Sequence, residues 1–297
     1  MKRIPILLTL VILSVVYLSS SGNLRASDRE AEVAAEFRSP RPGEALLIRV
    51  TGTKEIEEVS GSFLNHTVYF YDTGNGMAHY GFSAIGLGTQ PGRHLITLHL
   101  TYRDGSEERL SHPIAVRERL FTLQRLTVDE GYVRLTERNL ARYKRESEEL
   151  SQIFSAITPE RLFDEGFGMP LRNNIPTARF GVKRLINGEK RSPHKGLDLK
   201  GTGGVPVYAS NGGKVVMMSE LFFTGKTVII DHGLGIYSLY AHLSRFHVGE
   251  GEMVSKGRLI GRIGSTGRVT GPHLHWAIKV GGKTVDPVSL LELPVEG

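Results

Sequence analysis

A mainly β fold is the expectation from the sequence, and three observations carry it. Short β-prone runs such as Leu46-Leu47-Ile48-Arg49-Val50 and Leu95-Ile96-Thr97-Leu98-His99-Leu100 recur between turn residues. The 35 glycines among 297 residues fall mostly toward the C-terminal half, where they would close many turns between short strands. Only one stretch, Thr136 to Ile157, shows the 3.6-residue apolar period of an amphipathic helix. In chain order these signals give a small β-sandwich-like domain, a connecting α-helix and a C-terminal antiparallel β domain.

The chain opens Met1-Lys2-Arg3, runs apolar from Ile4 to Leu18 and continues Ser19-Ser20-Ser21-Gly22. A basic flank, a short apolar core and small residues read as an export signal over residues 1–26. Leu24 stands where a small residue should precede Ala26 in a cleavage site. A cleaved signal and a retained anchor through residues 4–18, which are few for a membrane span, therefore both stay open. Either way the expectation is an exported protein of the periplasm or cell envelope. There is no cysteine, so stability must come from the core and any bound metal, and cysteine catalysis and thiolate zinc sites are excluded. The formal charge of +6 favours a polyanionic surface such as a cell wall or anionic lipid. No dense Lys/Arg stripe or nucleic-acid motif accompanies it, so no nucleic-acid partner is expected. The oligomeric state is unknown from sequence.

Residues 35–119 hold the sandwich-like runs, with Thr67-Val68-Tyr69-Phe70 between the two quoted above, and Pro40, Pro42, Pro91 and Gly92 fall between runs as strands require. His66, His79, His94, His99 and His112 are irregularly spaced and read as ordinary strand or surface residues. Residues 120–172 form a linker with the helix: Leu140, Tyr143, Leu150, Ile153, Phe154 and Ile157 share a stripe, and Thr136 is a plausible N-cap. Its charges read as a solvated face. Pro159, Pro170 and Pro176 break regular structure before the last domain, residues 173–292.

That last domain carries the chemistry. With no thiolate available, imidazole and carboxylate are the zinc ligands to look for, and a catalytic site needs three with one position open. From His273 to Val280 the residues alternate, so that Leu274, Trp276, Ile278 and Val280 make an apolar face and leave His273 and His275 together on the other. Two residues apart on a strand, their side chains are parallel and about 6–7 Å separated at the base. From Ile236 to His242 the same reading puts Ser238, Tyr240 and His242 on one side, from which His242 would face a cleft. His194 and Asp198 are four apart, about 13 Å on a straight strand. Pro193 and Gly196 argue against a helix, so both reach one ion only if the chain bends near Gly196. His232 and His247 lie in or beside turns and are expected at the surface.

His194-x-x-x-Asp198, Tyr240-Ala241-His242-Leu243 and the run Gly264-Ser265-Thr266-Gly267 through Thr270-Gly271-Pro272-His273-Leu274-His275-Trp276 resemble the lysostaphin-type, or LytM-domain, zinc metallopeptidases. The resemblance covers about 120 residues, with Arg179-Phe180-Gly181 at its start and Asp286-Pro287 near its end. It implies a compact antiparallel β domain with a groove over one Zn²⁺, held by His194, Asp198 and His275. It further implies His242 and His273 as the non-ligand catalytic pair, and an endopeptidase that cuts stem peptides or cross-links of bacterial peptidoglycan. Tyr240, Ser265, Thr266 and Gly267 are candidates for the groove wall. No glutamate stands beside the metal motif to act as base, so proton transfer and oxyanion stabilisation fall to His242 and His273, in roles the sequence leaves unassigned. The alternative is a non-catalytic wall-binding activator of other cell-wall hydrolases, against which stands the presence of all five residues.

Overall fold

A computed structural model describes residues 29–190 and 193–295, and the signal or anchor expected at residues 1–26 lies outside the described residues. The described chain is mostly β, as the sequence predicts. It begins with eight strands: β1 (Ala31–Glu36), β2 (Ala45–Gly52), β3 (Ile56–Phe63), β4 (His66–Val68), β5 (Phe70–Asp72), β6 (Ala78–Ala84), β7 (Gly92–Tyr102) and β8 (Glu107–Val116). They form two antiparallel sheets, ordered β1-β2-β6-β5 and β4-β3-β7-β8. Leu46, Ile48 and Val50 alternate into the space between the sheets and share a core with Ile96, Leu98 and Leu100.

The intervening residues of β2, Ala45 and Leu47, are buried too, but in a different core. With Tyr80 and Phe82 of β6 they pack against the C-terminal part of the chain, which explains why β2 opens with the unbroken apolar run Ala45-Leu46-Leu47-Ile48 instead of alternating. Each large apolar side chain buried there contributes about 1.5–3 kcal/mol. An ion-pair network closes the edge of this contact. Arg38 donates to Glu44 at 2.6 Å and to Asp286 at 2.9 Å, and Arg119 donates to the same two carboxylates at 3.1 and 3.2 Å.

After β9 (Leu123–Leu126) comes helix α1 (Glu137–Ser155), whose cap Thr136 accepts from the Asn139 N–H at 3.3 Å. The C-terminal strands follow: β10 (Pro176–Ala178), β11 (Lys183–Ile186), β12 (Glu189–Lys190), β13 (Leu197–Lys200), β14 (Pro206–Tyr208), β15 (Gly213–Leu221), β16 (Gly225–Asp231), β17 (Ile236–Phe246), β18 (Met253–Val254), β19 (Leu259–Ile263), β20 (His273–Val280) and β21 (Lys283–Val285), then the short helix α2 (Pro287–Leu291). One antiparallel sheet runs β10-β13-β20-β17-β16-β15-β18. One of its faces, carrying Leu274, Trp276, Ile278 and Val280, forms the core shared with β2 and β6. Its other face is divided. Leu150, Ile153 and Phe154 of α1 cover Met217, Leu221, Ile229 and Tyr237, while the β13-β20-β17 end is left to polar side chains. The N-terminal half of the apolar stripe packs less well: Leu140 and Tyr143 are both 41% exposed.

The segment expected to be linker does more than connect. Phe163, Phe167 and Leu171 enter the C-terminal core, and Phe163 lies edge-on to Phe82 at 5.8 Å. Residues 158–162 lie over the turn at Gly233, whose Leu234 N–H donates to Thr158 O at 2.8 Å. That cover corrects the surface expectation for His232, which is fully buried, with Nδ1 2.6 Å from Gly212 O and Nε2 2.7 Å from Ser238 Oγ.

Burial pushes His232 down to about 4 from its ordinary value near 6.5. The unfolded chain therefore binds a proton that the folded one rejects between these values. Stability from this group is full above about pH 6.5 and is lost as pH falls toward 4, by about 3 kcal/mol in all. His232→Gln should thus cost most at pH 7, with the gap to wild type narrowing toward pH 4. Thermal unfolding of both proteins across that range is the check, and a gap that stays constant refutes it.

Candidate active site

The register of the sheet assembles the site. β13 pairs with β20 so that Asp198 lies opposite His275 and Lys200 opposite His273, and β17 pairs on the other side of β20 with Ala241 opposite His275. Partners opposite each other share a face, so Asp198 and His275 meet by strand geometry alone. His194 precedes β13 and reaches them because the chain turns between it and Leu197, its backbone N–H bonded to Val182 O at 2.8 Å. Gly196 sits in that turn for lack of room: a Cβ there would lie 2.6 Å from Trp276 O and 2.7 Å from His275 Cε1.

Three donor atoms converge. His194 Nε2 is 2.9 Å from Asp198 Oδ1 and 3.0 Å from His275 Nδ1, and His275 Nδ1 is 2.7 Å from Asp198 Oδ1. Tetrahedral ligands about 2.0–2.1 Å from a zinc ion would be about 3.3 Å apart, so the triangle needs only a slight opening to hold one. The tautomers agree. The Nδ1–H of His194 points at Arg179 O, 2.9 Å away, which leaves the lone pair of Nε2 for the cluster. Two imidazoles and a carboxylate fit Zn²⁺, and this is the group of potential metal donors found among the described residues.

Electrostatics follow from the same contacts. Burial alone would raise Asp198, but its close contacts with the His194 and His275 imidazoles outweigh it and hold the carboxyl far below its usual range. Burial depresses His275, against the pull of Asp198. Asp198 also takes a bond on its second oxygen, from Arg184 Nη2 at 2.5 Å. Sequence reasoning passed over Arg184, which meets Asp198 only through the fold.

His242 arrives by a route that strand alternation does not predict. Tyr240 pairs with Val228 and Leu243 with Lys226, so Ala241 and His242 together oppose Thr227, a β-bulge. His242 adopts φ of 62° there, a left-handed conformation that costs a non-glycine residue about 1–2 kcal/mol. The bulge turns His242 away from the side of Ser238 and Tyr240 and toward His273 and His275, at ring-centroid distances of 4.9 and 6.0 Å. Its Nδ1 faces Thr266 O at 2.8 Å, and His273 Nδ1 faces Gly271 O at 2.8 Å, so each presents Nε2 inward. Burial, then the neighbouring His275 and His273, push His242 down to about 3.

Of the groove candidates, Tyr240 is corrected. It is fully buried in the core behind the sheet, its hydroxyl bonded to Ser210 and Ser238, because it keeps the alternation that His242 breaks. Thr266 acts as a brace: its hydroxyl donates to Leu243 O and accepts from the Lys226 N–H, both at 2.8 Å, while its carbonyl orients His242. Gly267, at φ of 74°, presses on the 223–225 turn so closely that a Cβ would stand 2.4 Å from Gly225 N. Ser265 is exposed, next to Gly264, which bridges to His273.

The segment after β9 joins the two flanks of this cluster. The Asn187 side chain, in the hairpin of β11 and β12, bonds both the N–H and the carbonyl of Val128 at 2.9 Å. The Tyr132 ring then lies tilted 5.2 Å from that of Phe222, two residues before Thr224, whose carbonyl accepts the His242 N–H.

An antiparallel sheet thus gathers two histidines and an aspartate that could hold a metal ion, with two further histidines alongside. Comparison with known proteins agrees. Residues 192–287, about a third of the chain, match the sequence model of Peptidase family M23. The peptidoglycan DD-endopeptidase ShyA of Vibrio cholerae is 43% identical over 111 residues, 37% of this chain and 26% of that protein. The DD-carboxypeptidase/endopeptidase Mpg of Neisseria meningitidis is 44% identical over 97 residues, 33% of this chain and 22% of that protein. These matches thus span about a quarter of the relatives' own length. A crystal structure from Pseudomonas aeruginosa described as a peptidase M23 superposes with a TM-score of 0.66 at 26% identity, covering 86% of this chain and 96% of that one. That likeness extends beyond the family domain into the sandwich and helix.

Proposed function

We propose that this chain is an exported zinc-dependent endopeptidase that hydrolyses peptide bonds in the stem peptides or cross-links of bacterial peptidoglycan. The observation that carries the reading is the convergence of His194, Asp198 and His275 within hydrogen-bond distance of one another, with the free nitrogens of His242 and His273 turned to the same point. The name of ShyA, a peptidoglycan DD-endopeptidase, supports peptidoglycan as substrate, and that of Mpg supports endopeptidase activity. Bound by the three donors, Zn²⁺ would polarise the scissile carbonyl and acidify an attacking water.

The protein's own groups supply the rest. Arg179 O holds His194 in the tautomer that offers Nε2, and Asp198 spans both imidazoles. His242 stays neutral at pH 7, so its Nε2 can take a proton from water and pass it to the leaving amine. His273, which likewise turns Nε2 inward, 3.8 Å from Asp198 Oδ1, is placed to share these proton transfers. The test is digestion of purified peptidoglycan by the protein with and without a chelator, the released muropeptides being identified by mass spectrometry. One zinc per chain and chelator-sensitive release of peptides cut within stems or cross-links are expected. Unchanged digestion by metal-free protein would overturn the reading.

A further inference from the structure

We propose that Arg184 is a positioning residue for Asp198, fixing which carboxylate oxygen faces the histidines and so limiting that carboxylate to one bond to the metal. The inference rests on the zinc reading above. Asp198 is divided between two sets of partners: Oδ1 meets His194 Nε2 and His275 Nδ1 at 2.9 and 2.7 Å, and Oδ2 meets Arg184 Nη2 at 2.5 Å. A carboxylate free at both oxygens can chelate a cation with both, whereas one whose second oxygen accepts a charged hydrogen bond offers only the first.

Arg184 lies outside the segment matched by the family model, residues 192–287, and its place is set by the rest of the chain. β11 is the middle strand of a three-stranded sheet ordered β12-β11-β9, and Arg184 pairs in parallel register with Gln124 of β9. The strand that steadies this arginine thus comes from the segment between the sandwich and the helix. The guanidinium is largely buried, and its Nε has no partner among the described residues. Its polar contact with Asp198 is therefore what compensates its burial.

The test measures metal binding by the full chain, independent of turnover. Zinc affinity is read by competition with a chromophoric chelator, and coordination by the visible spectrum of the Co²⁺ form, which is intense for four ligands and weak for five. Arg184→Ala should bind zinc about 10–100-fold more weakly than wild type and shift the Co²⁺ spectrum toward the five-coordinate form. Arg184→Lys, which keeps the charge without the planar fork, should recover part of the affinity. If the alanine variant does not fold, Lys against Gln at position 184 carries the same comparison, and equal affinities in those two would overturn the proposal. A wild type that binds zinc tightly alongside an Arg184→Ala variant within twofold of it would overturn this inference alone. A wild type that binds no zinc would overturn the zinc reading with it.

Discussion

Replacing His275 or Asp198 with alanine is expected to remove zinc and activity together. Each supplies one of three donors, and the geometry offers no substitute: the next nearest imidazole nitrogen, His273 Nε2, is 3.8 Å from Asp198 Oδ1 and is oriented by its bond to Gly271 O. Two donors are too few to fix a zinc ion against chelation by water and buffer. The two variants should differ in what else they do. Asp198→Ala leaves Arg184 without its carboxylate and two imidazole nitrogens 3.0 Å apart with nothing between them, so it should also destabilise the fold. His275→Ala leaves Asp198 still paired with His194 and Arg184 and should be milder in stability. Bound zinc near zero in both, with activity lower by at least roughly 10³-fold, is the expected result, exceeding the loss from a single oxyanion donor. Full zinc occupancy in either variant would show that the ion sits elsewhere.

His242→Ala and His273→Ala should instead keep the zinc and lose about 10²–10⁴-fold in kcat, the scale of a missing general base or oxyanion donor. Neither ring touches the donor triangle at hydrogen-bond distance, yet the two rings are 4.9 Å apart and face the same space. Acting on one transition state, they should show losses that are less than additive in the double variant. His242→Ala should in addition gain stability from relaxed backbone strain only slightly, because alanine is hardly better than histidine at φ of 62°. His242→Gly separates these effects: it should unfold at a higher temperature than His242→Ala while being equally inactive. Loss of zinc in His273→Ala would mean that the ligand and non-ligand roles are exchanged on β20.

The histidine pair of β20 was the most legible feature, because a strand's alternation is a local rule and four core residues on one face oblige the other face to carry the polar ones. The bend at Gly196 was legible for a similar reason: two candidate donors four apart need it, and glycine permits the close approach of His275. Alternation failed at His242, where the bulge inserts one residue and reverses which side chains face the core. The matching signal, Thr227 standing alone against two residues, exists only between strands and is invisible in β17 alone. Tyr240 was misplaced by the same error.

By itself the sequence determined the mainly β class, the sandwich runs, the helix with its Thr136 cap, and the residue types able to bind zinc. Periodicity, capping and donor chemistry are properties of neighbours in the chain. Tertiary structure decided the rest: the burial of His232 beneath residues 158–162, the entry of Phe163 and Phe167 into the core, the second buried face of β2 and the bond from Arg184 to Asp198. Each of these joins segments far apart in the chain. Their pairing depends on which surfaces fit and bury together, and no local period encodes that choice.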